Sequence, residues 1–178
     1  MFNATFSKYR NLKWIEMTRS EEDIKGFFEG VQDVIFKPRR GECGHGVFVE
    51  NAQNLLARKD LTERINIHRN YVCEEKIYND EVLNMLNDTS LNTIRVITYL
   101  NNDHCNIIWA GIRIGKKGSV VDNISEGGSC CSIDIKTGKI NSEALDEHSI
   151  PVSVLKDGTS IIGFQIPRWG KSKILLEK

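Results

Sequence analysis

No G-x-x-x-x-G-K-[ST] string occurs anywhere in the chain, which excludes the Walker-type phosphate loop. There is no C-x-x-C pair either: Cys43, Cys73, Cys105, Cys130 and Cys131 are odd in number and scattered, the usage of reduced thiols and not of a disulfide framework. Net charge is missing too, because 24 basic and 24 acidic residues cancel to +0. That excludes a general electrostatic pull toward nucleic acid or an anionic membrane, so any anion must be caught locally. No apolar stretch approaches a membrane span, and the opening MFNATFSKYRNLKW lacks a basic segment followed by an apolar core. The expectation is a cytoplasmic protein without nucleic-acid partner or membrane span. Repeats and low-complexity tracts are absent as well.

What is present suits a folded domain: 178 residues, 40% hydrophobic and 27% charged, enough for a good core. Ser20 is placed to cap a helix over about 20–30, with Asp23 three residues later and Ile24, Phe27, Phe28 and Val31 at helical spacing. VIFK (34–37) and GVFVE (46–50) read as a hairpin around a glycine-bearing loop. NAQNLLARKDLTERINIH looks helical, with Leu55, Leu56 and Ile65 as core positions, and YVCEEKI (71–77) returns as a strand. The short polar helix NDEVLNMLND is a connector. NTIRVITYL (92–100) and CNIIWAGIRIG (105–115) are strong strands joined through Asn101–His104. Turns follow at Thr137-Gly138 and at Lys156-Asp157-Gly158, and RWGKSKILLEK reads as the start of a helix. The chain divides at the connector into 1–78 and 79–178.

Four constellations could carry chemistry. In FKPRRGECGHGV, Lys37 ends a strand and Pro38 keeps it extended. Gly41, Gly44 and Gly46 let backbone N–H groups approach an anion. A plain hairpin turn explains the same residues, and Cys43 with His45 provides only two ligand types, too few for a metal site. In CEEKI, a strand running from one half into the other offers backbone groups to the edge of a planar base, and Glu81 follows where a sugar hydroxyl acceptor could sit; a solvated acidic rim is the alternative. Arg95 and Arg113 lie inside otherwise apolar strands, and alternation turns both guanidiniums to one face. Buried arginines demand an anion or a carboxylate partner, so a phosphate-binding wall and internal pairing with Asp122 or Asp134 both remain open. Finally, Asp122, Asn123 and Gly127-Gly128 form a polar loop. Cys130-Cys131 has no histidine nearby to activate a thiolate.

Taken in order, IFKP-RRGECGHGV, CEEKI, SLNTIRVIT, GIRIG, VDN-ISEGG and ID-IKTGKI resemble the ATP-grasp superfamily, and most closely its sugar-transfer-associated family found with surface-polysaccharide genes. The resemblance implies an α+β fold of two lobes gripping ATP, with Mg²⁺ and a carboxylate substrate activated as an acyl phosphate. It assigns Lys37 to the ATP phosphates and the loop from Gly41 through Gly44 and His45 to Gly46 to a flap over them. It assigns Glu74, Glu75, Lys76 and Ile77 to the adenine hinge, Glu81 to the ribose, and Arg95 and Arg113 to the transferred phosphate. Asn123 and Gly127-Gly128 are family features without an assigned role. Mg²⁺ ligands of this family, an Asp followed by E-x-N, are not found after Gly128, and Lys8 does not match its first phosphate-contacting lysine. These departures suggest the central portion of an ATP-grasp protein, completed by a remainder of the fold or a second copy. The expected partners are ATP and a small-molecule or sugar-linked carboxylate. The other class left open is a non-catalytic nucleotide-binding or interaction module.

Overall fold

The computed structural model describes residues 12–102, 104–152, 155 and 159–171. They fall into two compact units dividing at Ile77/Tyr78. Both combine antiparallel sheet with short helices, an α+β architecture. Lys8, the Lys156–Gly158 turn, Asp103 of the hairpin loop and the tail beyond Lys171 lie outside the described residues.

The first unit has a four-stranded sheet ordered β1-β4-β2-β3, made of β1 (Trp14–Glu16), β2 (Asp33–Pro38), β3 (Phe48–Asn51) and β4 (Tyr71–Glu75). Helix α1 (Glu21–Glu29) starts where expected: Ser20 Oγ accepts from the Asp23 N–H at 3.1 Å, and Ile24, Phe28 and Val31 are buried. Each such side chain contributes about 2 kcal/mol. Alternation along β2 sends Val34 and Phe36 into that core, where Phe36 stacks on Phe48 with ring centroids 4.7 Å apart. The long helix expected over 51–68 is instead two, α2 (Ala52–Leu56) and α3 (Leu61–Ile67). Between them Arg58 donates from both Nε and Nη2 to Asp60, the residue before α3, at 2.7 Å. Leu55 and Ile65 are buried as expected, Leu56 is only half-buried, and Leu61 also enters the core.

The second unit has a five-stranded sheet ordered β5-β6-β7-β8-β9, from β5 (Thr93–Asn101), β6 (His104–Ile114), β7 (Ser129–Ser132), β8 (Ala144–Leu145) and β9 (Pro151–Val152). β5 and β6 form the expected hairpin, closed by Asn101 opposite His104. One face is core: Ala110, Ile112, Ile114 and Cys131 are buried against Leu83, Leu86 and Ile140. The connector is a 3₁₀ helix (Glu81–Met85) capped by Asp80, which accepts from the Val82 N–H. SIDIKTGKI and IIGFQIP make isolated bridges, Ile133 to Ile140 and Lys139 to Gln165, and no full strands. The Thr137-Gly138 turn does form, with Gly138 at φ 74° and its N–H donating to Asp134 O at 2.8 Å.

Candidate functional site

In the first unit, the alternation that buries Val34 and Phe36 turns Lys37 to the opposite face of the sheet. Ile35 pairs with Glu74 and Lys37 with Val72, so Glu74 stands diagonally from Lys37 on that same face. The two meet: Lys37 Nζ donates to Glu74 Oε2 at 2.6 Å, with the lysine side chain 43% exposed and the glutamate 6%. A buried carboxylate without such a partner would be costly. The pair therefore holds the ammonium at the end of β2 with its outer side toward solvent.

Immediately beyond Lys37 the chain enters the glycine loop. Cys43, Gly44 and Gly46 take φ of 56°, 82° and 73°, and the turn is closed by His45 N–H to Glu42 O and Val47 N–H to Gly44 O, both 3.1 Å. Gly46 also packs tightly, since a Cβ there would meet Pro38 Cγ at 3.0 Å. Gly41, His45 and Gly46 are exposed. The result is a solvent-facing hairpin loop rooted beside the fixed lysine.

The hinge residues divide in an unexpected way. β4 is flanked by β1 and β2, and Glu74 pairs with Trp14 on one side and Ile35 on the other, so its backbone belongs to the sheet. Glu75 N–H donates to Lys13 O and Lys76 N–H to Asp33 O, both at 2.9 Å. The Glu74 carboxylate meets Lys37, and its backbone lies between two paired strands. Among the described residues, the backbone groups of Ile77 have no hydrogen-bond partner, and its side chain is 51% exposed. Its backbone donor and acceptor are therefore open.

In the second unit, Thr93 pairs with Arg113 and Arg95 with Gly111. This register puts both arginines on the face opposite the core. Their surroundings differ from the expected buried pair: Arg95 is exposed, and Arg113 is partly covered. Arg113 Nη2 donates to Asp122 Oδ1 at 2.9 Å and its Nε to Thr93 Oγ1 at 3.1 Å. Thr93 in turn donates to the other Asp122 oxygen from both its N–H and its hydroxyl. Arg113 is thus paired internally with Asp122, while Arg95 is an exposed cation.

Sequence reasoning missed the residues around these arginines. Trp109 shares their face, opposite Ile97, and its indole reaches over Gly111, where any Cβ would fall 2.2 Å from Cη2 and 2.5 Å from Cζ2. Its Nε1 donates to Ser132 Oγ at 3.2 Å. The parity of Thr93, Arg95, Trp109 and Arg113 along the hairpin was the available signal. Also missed was an asparagine network: Asn92 Nδ2 donates to Leu83 O and Asn87 O, Asn79 Nδ2 to Ser90 O, and Asn87 Nδ2 to Gly115 O. It fastens the 3₁₀ connector to the ends of β5 and β6. Asn92 Oδ1 is buried without a partner among the described residues.

The remaining candidates lie elsewhere in this unit. Glu81 opens the 3₁₀ connector and is exposed. Asn123 uses its backbone carbonyl, accepting from Gly128 N–H at 3.1 Å, and a Cβ at Gly128 would meet that oxygen at 2.7 Å. That close approach gives the VDN…GG pattern a structural reason. Burial pushes the Cys131 thiol up to about 12 and raises Cys130, against the pull of Arg113 and Arg95; neither is an activated nucleophile. No three His, Cys, Asp or Glu side chains converge among the described residues. No helix of the described residues is long and apolar enough to cross a membrane.

A protein-family model described as sugar-transfer associated ATP-grasp matches residues 6–177. Comparison with curated proteins and with solved structures gave no match.

Proposed function

Because the chain belongs to the sugar-transfer associated ATP-grasp family over nearly its whole length, we propose that it is the ATP-binding part of a carboxylate ligase-type enzyme of surface-polysaccharide or cell-envelope assembly. The observation that carries this is Lys37, anchored on buried Glu74 at the root of an exposed glycine loop. A cation fixed at a strand end beside backbone N–H groups that lack Cβ cover is the arrangement a polyphosphate requires. In the first unit, Lys37 and the Gly41–Gly46 loop would take the phosphates and Ile77 the adenine edge. In the second, Arg95 offers a solvent-facing guanidinium, and Arg113 is held by Asp122 so that its remaining N–H groups keep one orientation. Glu81, at the start of the 3₁₀ connector, is assigned to the ribose.

ATP would supply the phosphoryl group that converts a carboxylate into an acyl phosphate. The protein's own contribution is positioning and charge neutralisation, with no protein nucleophile. This accords with thiols held protonated by burial. The test compares ATP with AMP by calorimetry on the wild type and on Arg95→Ala and Arg113→Ala. Arginines that face the terminal phosphates weaken ATP binding in the variants while leaving AMP binding unaltered. Equal loss for both nucleotides, or no loss, contradicts that assignment.

A further inference from the structure

Trp109 has no part in holding ATP as assigned above, yet its placement is built and not incidental. Its indole occupies the space above Gly111 that a side chain would otherwise fill. Gly111 stands between Arg95 on β5 and Ser132 on β7, so the ring lies between a cation and the hydroxyl that accepts its N–H at 3.2 Å. Ile97, 49% exposed, is the cross-strand neighbour of Trp109. Arg113 and Thr93 form the adjoining row of side chains. An aromatic plate and an exposed aliphatic side chain therefore adjoin two guanidiniums on one sheet face.

Resting on the function proposed above, we propose that this face binds the carboxylate substrate, and that the substrate is a sugar acid: a pyranose ring laid on the Trp109 indole with its carboxylate toward Arg95 and Arg113. Indole rings supply a large, stiff apolar plate with a polar edge, and arginine matches a carboxylate with paired donors; exposed Arg95 offers that edge, whereas Arg113 Nε and Nη2 already serve Thr93 and Asp122. Side-chain rows two residues apart along a strand are separated by roughly 7 Å. That spacing suits a ring carrying its own anionic substituent. It is too short to place adenine on Trp109 while the terminal phosphate of the same ATP reaches the Arg95–Arg113 rows. The association of this family with sugar transfer agrees with a sugar ring as the occupant.

The experiment is saturation-transfer NMR with the whole chain, using glucuronate, glucose and glucose 1-phosphate as probes and ATP in a separate titration. Glucuronate is expected to bind and glucose to bind at least threefold more weakly. Trp109→Ala is expected to weaken glucuronate by about 3- to 10-fold, and Trp109→Phe, which keeps an aromatic plate, to restore part of it. A variant that merely disturbed the fold would not show that graded recovery. If ATP binds but glucuronate does not, or Trp109→Ala binds glucuronate as the wild type does, the sugar-acid site is wrong and the nucleotide proposal stands. Binding of glucose 1-phosphate in preference to glucuronate overturns the carboxylate assignment. If ATP fails to bind, the nucleotide proposal has failed by itself.

Discussion

Lys37 and Glu74 come from different strands, β2 and β4, and meet as a 2.6 Å ion pair in which the carboxylate is almost wholly covered and the ammonium is not. The asymmetry has a consequence for mutagenesis. Lys37→Ala strips the counter-ion from a buried carboxylate and is expected to cost about 1–2 kcal/mol, less than for a fully buried pair because the lysine is half exposed. The double variant Lys37→Ala/Glu74→Gln should recover most of that loss in a urea titration. Additive losses would show that the pair is not coupled.

Asp122 neutralises Arg113 and receives both polar groups of Thr93. Asp122→Asn should lower the stability of the chain by about 2 kcal/mol, since it leaves a partly covered guanidinium unpaired. Adding Arg113→Gln to it should restore some of the loss. A double variant less stable than either single variant would place the stabilising interaction elsewhere.

Gly138 carries a double constraint: φ is 74°, and the Trp169 side chain lies where its Cβ would go. Trp169 is itself tied by its Nε1 donating to Ile135 O at 2.9 Å. Gly138→Ala is expected to lose about 2 kcal/mol and to shift tryptophan emission to the red as the indole is displaced. Unchanged emission would contradict the packing described.

The thiols divide by burial. Cys43 is exposed, and Cys73 and Cys131 are buried, with burial raising the pKa of both. A disulfide reagent at pH 8 should modify Cys43 first and leave Cys73 and Cys131 until the chain unfolds. For an acid whose folded pKa is raised, stability is intact below the unfolded value and falls as pH rises through the folded one. For Cys131 that window runs from 9.0 to about 12. Cys131→Ala should therefore flatten part of the alkaline loss. An unchanged alkaline slope would contradict the shift at this residue.

The fold was legible wherever local chemistry and periodicity agreed. Ser20 followed by Asp23 located α1, and the alternation in VIFK and in NTIRVITYL located strands, with Val34 and Phe36 buried in β2 and Ile94 and Val96 partly buried in β5. The break between α2 and α3 was not legible, because it falls inside a run that holds neither Gly nor Pro. At the candidate site, Lys37, the glycine loop and the shared face of the two arginines could be read from strand ends and parity. The roles of Glu74 and Asp122 could not. Glu74 becomes Lys37's partner only through the register of β2 against β4, and Asp122 reaches Arg113 from a loop after β6. Trp109 escaped notice because an aromatic in an apolar strand ordinarily reads as core. Gly111, two residues along, leaves room for the indole on the outer face, where a Cβ would meet Cη2 and Cζ2.

The most direct measurement is calorimetric titration of ATP into the wild-type chain and into the charge-balanced Lys37→Ala/Glu74→Gln variant, each first shown to be folded by circular dichroism. The wild type is predicted to bind ATP, and the variant to bind it at least about tenfold more weakly, the loss of one charge-assisted phosphate contact. A folded wild type that does not bind ATP, or a variant that binds it equally well, would contradict the assignment of Lys37 and its loop to the nucleotide.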